Sequence, residues 1–335
     1  MTPLVTVIVP CYNEEATIAL LLDAVYRQTW PINEIEVLIA DGISTDNTRE
    51  RIIEFKNRCP ELEVHIIENP LRIIPAALNC ALRAAQGEYI VRLDAHSMPA
   101  PNYIERCLEN LKNNMGDTVG GIWQIEPGAE TWMAQAIAIA AAHPLGVGDA
   151  RYRYSHRPGE VDTVPFGAFR RDLIEKIGYF DEELLTNEDY EFNARILRGG
   201  GRVWFDPDIR SVYFARPDLN ALARQYWRYG YWKFRMLRRY PGSLRWRQAL
   251  PPLFVLGVSL LAVFGIFQET IWWLLLAGLL FYFLILLAAS LPLAVRKRDI
   301  RLVVSIPLAI SVMHFSWGSG FLWSMVYLWF GGRNH

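Results

Sequence analysis

The first 215 residues alternate short apolar runs with stretches in which apolar residues recur at helical spacing. Val5–Val9 is a continuous apolar run that ends at Pro10, which predicts a buried parallel strand. Apolar residues then recur between Ile18 and Val25 at the spacing of a helix. Further strands are predicted at Glu36–Ala40, Val64–Ile67 and Tyr89–Leu93, with helices near Thr45–Phe55 and from Pro75 to Gly87. This order predicts an α/β domain whose mostly parallel sheet carries helices on both faces.

The hydropathy changes sharply in the last third of the 335-residue chain. Between residues 250 and 295 the only charged side chain is Glu269. A membrane-spanning helix needs about 20 mostly apolar residues. Three stretches satisfy this requirement, at about 249–267, 271–295 and 302–330. Residues 248–330 are therefore predicted to form three transmembrane helices.

A basic and aromatic segment joins the two regions. Residues 216–247 contain nine Arg or Lys and a single acidic residue, Asp218, with aromatic side chains interleaved. This composition is typical of a helix that lies at the surface of an anionic membrane. We therefore divide the chain into a domain over residues 1–215, an interfacial segment over 216–247 and the transmembrane region that follows.

The distribution of positive charge predicts the orientation. Basic residues in 216–247 and in Arg296–Arg301 favour the cytoplasmic side, which places the tail 331–335 on the opposite side. No basic n-region precedes the first apolar run, so we expect no signal peptide and a cytoplasmic domain on a multi-pass inner-membrane protein. The four cysteines show no metal-ligand spacing and are expected to be thiols: Cys11, Cys59, Cys80 and Cys107.

Polar residues follow the predicted strands where each one ends. Pro10–Glu14, Asp41 and Asp94–His96 all occupy such positions, and ligands bind at the carboxyl ends of strands in sheets of this kind. A second acidic pair, Glu188-Asp189, opens a predicted helix that ends at Gly199–Gly201. Two acidic clusters suggest a division of roles, in which one cluster binds a metal-bound leaving group and the other accepts a proton.

With these motifs the chain resembles the inverting family 2 glycosyltransferases of the GT-A fold. The matching residues are Val7-Ile8-Val9-Pro10-Cys11-Tyr12-Asn13-Glu14, Ala40-Asp41-Gly42, Asp94-Ala95-His96 and Glu188-Asp189. The resemblance implies a Rossmann-like GT-A domain followed by the helical membrane region. It also implies that Pro10, Tyr12, Glu14, Asp41 and Asp94 bind the nucleotide of a sugar donor.

Asp94-Ala95-His96 stands where the family has an Asp-x-Asp motif. The resemblance implies that Asp94 and His96 hold a divalent cation, Mn²⁺ or Mg²⁺, on the donor diphosphate. Imidazole suits Mn²⁺ better than Mg²⁺, because Mg²⁺ prefers shells made only of oxygen. The alternative, a structural histidine beside an aspartate, stays open.

Glu188-Asp189 resembles the family's Glu-Asp pair, in which the aspartate is the catalytic base. Asp189 would accept the proton of an acceptor hydroxyl that attacks the donor sugar and inverts its anomeric centre. Glu188 is expected to position the acceptor or a nearby loop.

Gln225-Tyr226-Trp227-Arg228-Tyr229 is similar to the Gln-x-x-Arg-Trp motif of processive family members, with Tyr229 in place of tryptophan. The similarity implies acceptor contacts for Gln225, Arg228 and Tyr229. These contacts are compatible with a position at the membrane surface, because acceptor binding and membrane binding both favour arginine beside aromatic rings.

The predicted function is transfer of one sugar from a UDP-sugar, such as UDP-glucose, to a polyprenyl-diphosphate-linked saccharide. The resemblance to succinoglycan-type glucosyltransferases implies a role in cell-surface or exopolysaccharide biosynthesis. A processive polysaccharide synthase and a non-catalytic nucleotide-sugar or lipid-binding scaffold are the alternatives. Assembly with other polysaccharide-biosynthesis proteins is also left open.

Two other classes are a poor fit. A dinucleotide-binding enzyme would carry Gly-x-Gly-x-x-Gly after the first strand, where this chain has Pro10-Cys11-Tyr12-Asn13. A nucleic acid is not an expected partner, because the basic segment adjoins the apolar spans. Gly120-Gly121 and Phe166-Gly167-Ala168 are interpreted either as pocket loops or as ordinary turns. His314, within the last span, is interpreted either as a functional ionisable group or as a packing residue, and the small residues around it favour packing.

Overall fold

The computed structural model describes residues 3–330, which form two compact units. The sheet unit comprises the residues up to 124 together with 154–213, and the helical unit comprises 125–153 together with the residues from 214 onward. Residues 125–153 thus belong with the C-terminal helices, although the sequence places them inside the 1–215 domain. The functional boundaries at 215 and 247 remain predictions, and the predicted position of the tail 331–335 lies outside the described residues.

The described strands are β1 (Val5–Cys11), β2 (Ile35–Asp41), β3 (Glu63–Glu68), β4 (Tyr89–Arg92), β5 (Met98–Pro99), β6 (Thr118–Glu126), β7 (Gly159–Glu160), β8 (Ala168–Arg170) and β9 (Val203–Phe214). The described α-helices are α1 (Ile18–Tyr26), α2 (Thr48–Arg58), α3 (Ile74–Ala84), α4 (Tyr103–Lys112), α5 (Trp132–Ala141), α6 (Pro144–Val147), α7 (Leu173–Ile177), α8 (Glu188–Arg198), α9 (Leu219–Arg239), α10 (Trp246–Gly265), α11 (Thr270–Lys297) and α12 (Leu302–Trp329). Short 3₁₀ turns lie at Ile32–Glu34 and Arg151–Arg153.

The described strands form one mixed sheet in the order β3-β2-β1-β4-β8-β6-β9-β5, with β7 paired to β9. Neighbouring strands are parallel from β3 to β4 and antiparallel at the β4–β8, β8–β6, β9–β5 and β9–β7 pairs. All residues of β1 and β2 are buried, which explains their continuous apolar runs. The predicted α/β class is confirmed, and the antiparallel strands complete a sheet whose parallel part ends at β4.

The apolar helices of the C-terminal third are also confirmed. Among residues 3–330, three helices are long and apolar enough to cross a membrane: α10, α11 and α12. Their ends differ by a few residues from the predicted stretches, and α11 continues to Lys297 in the basic loop. Half of the most apolar window of α12 is buried, against 22% for α10 and 17% for α11. The last helix is therefore the central one of this unit.

Helix α9, within the predicted interfacial segment, packs closely on α12. The backbones meet at two glycines: a Cβ on Gly230 would overlap the carbonyl of Trp317, and a Cβ on Gly320 would overlap the carbonyl of Trp227. Small residues at such points let two helices approach.

His314 of α12 bonds within the same unit. Its Nε2 lies 2.8 Å from the carbonyl oxygen of Leu145, and its Nδ1 lies 3.0 Å from the hydroxyl of Tyr282. Because a carbonyl only accepts, Nε2 carries a proton and donates it to Leu145. These contacts favour the packing interpretation of His314.

Gly120 and Gly121 also have a packing reason. A Cβ on Gly121 would overlap the carbonyl of Ile209, and a Cβ on Gly120 would lie 2.7 Å from the Cβ of Val164. The close approach of β9 at Gly121 and of Val164 at Gly120 therefore leaves no room for a side chain.

Candidate active site

The loops that follow β1 and β2 are held together by side-chain hydrogen bonds. The backbone N–H of Asn13 donates to Ser44 Oγ at 2.9 Å, and Asn13 Oδ1 accepts from the Thr45 N–H at 2.8 Å. Asn13 and Ile43 both adopt positive φ, of 55° and 59°, which is uncommon for residues other than glycine and is strained for a β-branched one. The two loops at the carboxyl ends of β1 and β2 are therefore held together in one defined arrangement.

Tyr12 projects from this loop pair and is 44% exposed. Gly42 lies directly beside its ring, since a Cβ there would stand 3.1 Å from Tyr12 Cδ2. The guanidinium of Arg72 lies 6.0 Å from the ring centroid. Pro10 lies in β1, two residues before Tyr12, and pairs with Ala40 of β2. An exposed aromatic face at the end of β1 suits the predicted contact with a nucleobase.

Asp41 ends β2 with a fully buried side chain. Its carboxylate accepts from Arg49 Nε at 2.5 Å and from the backbone N–H of Ser44 at 3.2 Å. Both interactions fix the carboxylate orientation at the loop base. A direct contact with a nucleotide would require Arg49 or Ser44 to share or release these oxygens.

Glu14 and His96 come together from the loops that follow β1 and β4. His96 Nδ1 lies 3.0 Å from Glu14 Oε1, and Glu14 Oε2 accepts from the Thr17 hydroxyl at 2.5 Å. A carboxylate on one ring nitrogen orients the imidazole, as it does behind many metal-bound histidines. Across the described residues, no group of three or more His, Cys, Asp or Glu is arranged to hold a metal by itself.

Three of the predicted acidic residues surround Arg92, the last residue of β4. Arg92 Nη2 donates to Asp94 Oδ1 at 3.1 Å and to Glu188 Oε1 at 2.8 Å, while Nη1 donates to Asp189 Oδ1. The arginine side chain is 2% exposed, against 20%, 11% and 25% for those of Asp94, Glu188 and Asp189. The two acidic motifs, about a hundred residues apart in sequence, therefore share one guanidinium. We call these four residues the Arg92 cluster.

The start of α8 places Glu188 and Asp189 at this cluster. Asn187 precedes the helix with φ of 71°, so the chain turns sharply just before the acidic pair. Phe192 anchors the buried face of the helix and stacks on Phe180, with ring centroids 4.4 Å apart. Acidic residues in a first helical turn also interact favourably with the helix dipole.

The surroundings of Asp189 change its acidity. Burial and the negative charges of Glu188 and Asp94 together raise the pKa of Asp189 to about 7, although Arg92 acts in the opposite direction. The backbone N–H of Phe166 donates to the Asp189 carboxylate and lowers its pKa. A carboxylate with a pKa near neutrality is a much better base than an ordinary aspartate.

Arg92 is the site residue that the sequence reasoning missed. Burial acts to lower the pKa of Arg92, but the three carboxylates outweigh it and raise that pKa, so the guanidinium stays charged. A signal was available, because Arg92 interrupts the apolar strand Tyr89–Leu93 two residues before Asp94 and therefore shares its face.

Gln225, Arg228 and Tyr229 lie on α9, in the helical unit. Gln225 Nε2 donates to the Tyr229 hydroxyl at 3.0 Å across one helical turn. The ring of Tyr229 also packs edge-on against that of Trp317, with centroids 6.5 Å apart. Their predicted acceptor contacts remain predictions.

The geometry of the sheet unit agrees with sequence comparison. Residues 6–178 match the family described as glycosyl transferase family 2, and the chain therefore belongs to that family. The resemblance stated from the motifs is thereby confirmed, and the protein is a glycosyltransferase-family enzyme.

Two relatives match nearly the whole chain. One is the succinoglycan biosynthesis protein ExoA of Rhizobium meliloti (strain 1021), 29% identical over 317 residues, covering 94% of this chain and 93% of that protein. The other is the dolichyl N-acetyl-alpha-D-glucosaminyl phosphate 3-beta-D-2,3-diacetamido-2,3-dideoxy-beta-D-glucuronosyltransferase of Methanococcus voltae, 24% identical over 328 residues, covering 96% and 97%.

Among solved structures, the fold is similar to that of the mannosyltransferase PcManGT from Pyrobaculum calidifontis in complex with GDP-Man and Mn²⁺. The TM-score is 0.62 at 22% identity, over 96% of this chain and 88% of that one. At this identity the match establishes the fold, which is the predicted one.

Proposed function

We propose that this enzyme transfers a single hexose from a UDP-sugar, with UDP-glucose the leading donor, to a polyprenyl-diphosphate-linked saccharide. The product would be an intermediate of a cell-surface polysaccharide or exopolysaccharide. The observation that carries the proposal is the Arg92 cluster, in which Asp94 at a strand end and Asp189 at a helix start bind the same guanidinium. A leaving-group site and a base must stand this close to act on one sugar carbon.

Asp189 is the proposed base. The acceptor hydroxyl gives its proton to the Asp189 carboxylate while its oxygen forms a bond to the anomeric carbon. The bond from that carbon to the diphosphate breaks on the opposite face, so UDP leaves and the configuration inverts. A pKa raised to about 7 supports this role, because the carboxylate can then hold the proton at neutral pH.

The donor nucleotide is proposed to bind at the carboxyl ends of β1, β2 and β4. Tyr12 offers an exposed ring, and Pro10 lies two residues before it in β1. Glu14 and Asp94 offer partly exposed carboxylates for base and ribose groups. Asp41 is proposed to join them when Arg49 or Ser44 shares one of its oxygens. The alternative of a non-catalytic scaffold loses support, since a nucleotide-binding protein has no need for the second acidic pair on α8.

The residues present fit a divalent cation. Asp94 offers a partly exposed carboxylate, and His96 offers an imidazole oriented by Glu14 at 3.0 Å. Such a pair suits Mn²⁺, with phosphate oxygens and water as the other ligands. When bound, the cation would neutralise the charge that develops on the departing diphosphate. The similar mannosyltransferase is a complex with GDP-Man and Mn²⁺, which agrees with this choice of cation.

A lipid-linked acceptor is supported by the helical unit. Three apolar helices of spanning length adjoin the basic segment, which fits an enzyme of the inner membrane with its sheet unit on the cytoplasmic side. Gln225, Arg228 and Tyr229 are proposed to contact the acceptor. The names of the two relatives point the same way, since one concerns succinoglycan and the other a dolichyl phosphate sugar.

The deciding experiment is a donor screen with the full-length protein in membranes. Radiolabelled UDP-sugars, a lipid-acceptor extract and Mn²⁺ or Mg²⁺ are combined, and label in the lipid phase is counted. We expect transfer with one UDP-hexose and its loss on chelation with EDTA.

Asp189→Asn is the matched variant in that screen. It should bind UDP as the wild type does and transfer at least ~10³-fold more slowly, because the amide cannot take the proton. Turnover near the wild-type rate would remove Asp189 as the base.

A further inference from the structure

Arg92 is an unusual residue for the place it occupies. It lies in the central parallel part of the sheet, on the same face of β4 as the fully buried Ile90, with a side chain that is 2% exposed. Burying a guanidinium is unfavourable, and apolar residues of similar volume usually stabilise a fold as well or better. Stability alone therefore gives no reason for an arginine at this position.

The contacts of Arg92 are divided between the two functional motifs. One terminal nitrogen donates to Asp189, while the other donates to Asp94 at 3.1 Å and Glu188 at 2.8 Å. The guanidinium is planar and rigid, so its two nitrogens fix the spacing of the carboxylates that they hold. Lysine carries the same charge on a single nitrogen at the end of a flexible side chain, so it cannot fix such a spacing.

A second contact restrains Asp189 from another side. The backbone N–H of Phe166 donates to its carboxylate, and Phe166 adopts φ of 49°, which is strained for a bulky residue. The Tyr103 hydroxyl donates to the Phe166 carbonyl at 3.2 Å, and the Phe166 ring lies 5.9 Å from the Arg92 guanidinium. The backbone is therefore bent at the point where it supports the same carboxylate.

We propose that Arg92 is the positioning residue of this enzyme. It sets the distance and the orientation between the donor-binding carboxylate of Asp94 and the base Asp189, without contacting either substrate. This inference rests on the proposed roles of those two aspartates. If this is so, the spacing of the two terminal nitrogens of Arg92 affects the rate of transfer more than the positive charge does.

The test compares Arg92→Lys and Arg92→Gln with a matched control, Arg106→Gln. Arg106 resembles Arg92, since it bridges two carboxylates in the same unit: Nη2 donates to the buried Asp206 at 2.9 Å and Nη1 to Glu109 at 2.8 Å. No role in the site is proposed for Arg106. The readouts are kcat and KM for UDP-glucose with the lipid extract, the Kd of UDP with Mn²⁺ and the thermal midpoint.

Arg92→Lys is expected to lower kcat about 100-fold while KM and the Kd of UDP change less than about threefold, because a shift of roughly 1 Å in a reacting group has this effect. Arg92→Gln should be at least as slow. Arg106→Gln should lower the thermal midpoint and leave kcat within about twofold of the wild type. Equal kcat in Arg92→Lys and wild type would overturn the inference, as would a loss of UDP binding that matched the loss of rate.

A double variant separates positioning from any other effect. If Arg92 acts through Asp189, then Arg92→Lys should reduce the residual rate of Asp189→Glu far less than it reduces that of the wild type. Equal factors in both backgrounds would overturn the inference. Wild-type turnover of UDP-glucose tests the proposed function, and the ratio of variant to wild type tests the positioning, so the two failures are distinguished.

Discussion

At the scale of single residues, the site depends on how one buried cation is shared. Arg92 meets three carboxylates, so the Arg92 cluster carries two more negative than positive charges when all are ionised. This excess works together with burial to make Asp189 a weaker acid than an exposed aspartate. The same arrangement that holds the base in place therefore also adjusts its proton affinity.

The pH dependence of transfer follows from this balance. Below its pKa of about 7, Asp189 is protonated and cannot accept from the acceptor hydroxyl, and above that pKa it is ionised. We expect kcat/KM to rise tenfold per pH unit below that value and to level off above it. Initial rates over a pH series measure this, with the thermal midpoint followed in parallel as a control for unfolding. A rate that is already level at about pH 5.5 would contradict the expected profile.

In Arg92→Gln, the pH range over which kcat/KM rises should move to higher pH. The guanidinium lowers the pKa of Asp189, and its removal takes that effect away. The same rate series measures the displacement. If kcat/KM rises over the same pH range as in the wild type, Asp189 is not the group that titrates in the transfer step.

At the scale of elements, the helical unit depends on close backbone contact between α9 and α12. Gly230 faces the carbonyl of Trp317, and Gly320 faces that of Trp227. Aromatic side chains fill the same interface, since Phe234 and Phe321 pack edge-on with centroids 5.2 Å apart. The segment expected from its composition to lie on lipid is thus also bound to the central apolar helix.

Gly230→Ala is expected to destabilise this contact. The added methyl has no room, and overpacking of this kind typically costs about 1–3 kcal/mol, which lowers the thermal midpoint by several degrees. Gly278→Ala in α11 is the matched control, because its added methyl meets no described atom within 4 Å. Alanine is also the better helix former, so this control should be neutral or stabilising. Thermal unfolding in detergent measures both, and equal midpoints for the two variants would refute the close contact.

At the scale of the whole molecule, the described residues pair one mixed-sheet unit with three helices of spanning length. We expect a channel that encloses a growing polysaccharide to need more than three helices. The tyrosine at position 229, where processive relatives are expected to have tryptophan, points in the same direction. Both features favour one transfer in each encounter with an acceptor.

The product of a long incubation should therefore be the acceptor extended by one hexose. The purified protein is incubated with a large excess of the donor that it accepts, and the lipid products are analysed by mass spectrometry. Heating the protein before the incubation provides the blank. A ladder of products, or polymer made from the nucleotide sugar alone, would favour the processive alternative.

Much of this architecture is already determined by the sequence. The apolar runs of β1 and β2 and the long helices α10–α12 follow from local periodicity and hydropathy, which each segment carries by itself. Pro75 and Gly199 indicated a helix start and a helix end in the same way. The acidic motifs could be found because strand ends are recognisable along the chain.

Only the tertiary structure decided which of these groups meet. It brought Asp189 to Asp94 through Arg92, matched His96 with Glu14, covered Asp41 with Arg49 and joined residues 125–153 to the C-terminal helices. Contacts of this kind depend on how the strands are ordered and how the chain closes over long distances, whereas periodicity reports only on neighbours in sequence. For the same reason, a buried arginine that looks like an interruption of a strand became the centre of the site once the sheet was assembled.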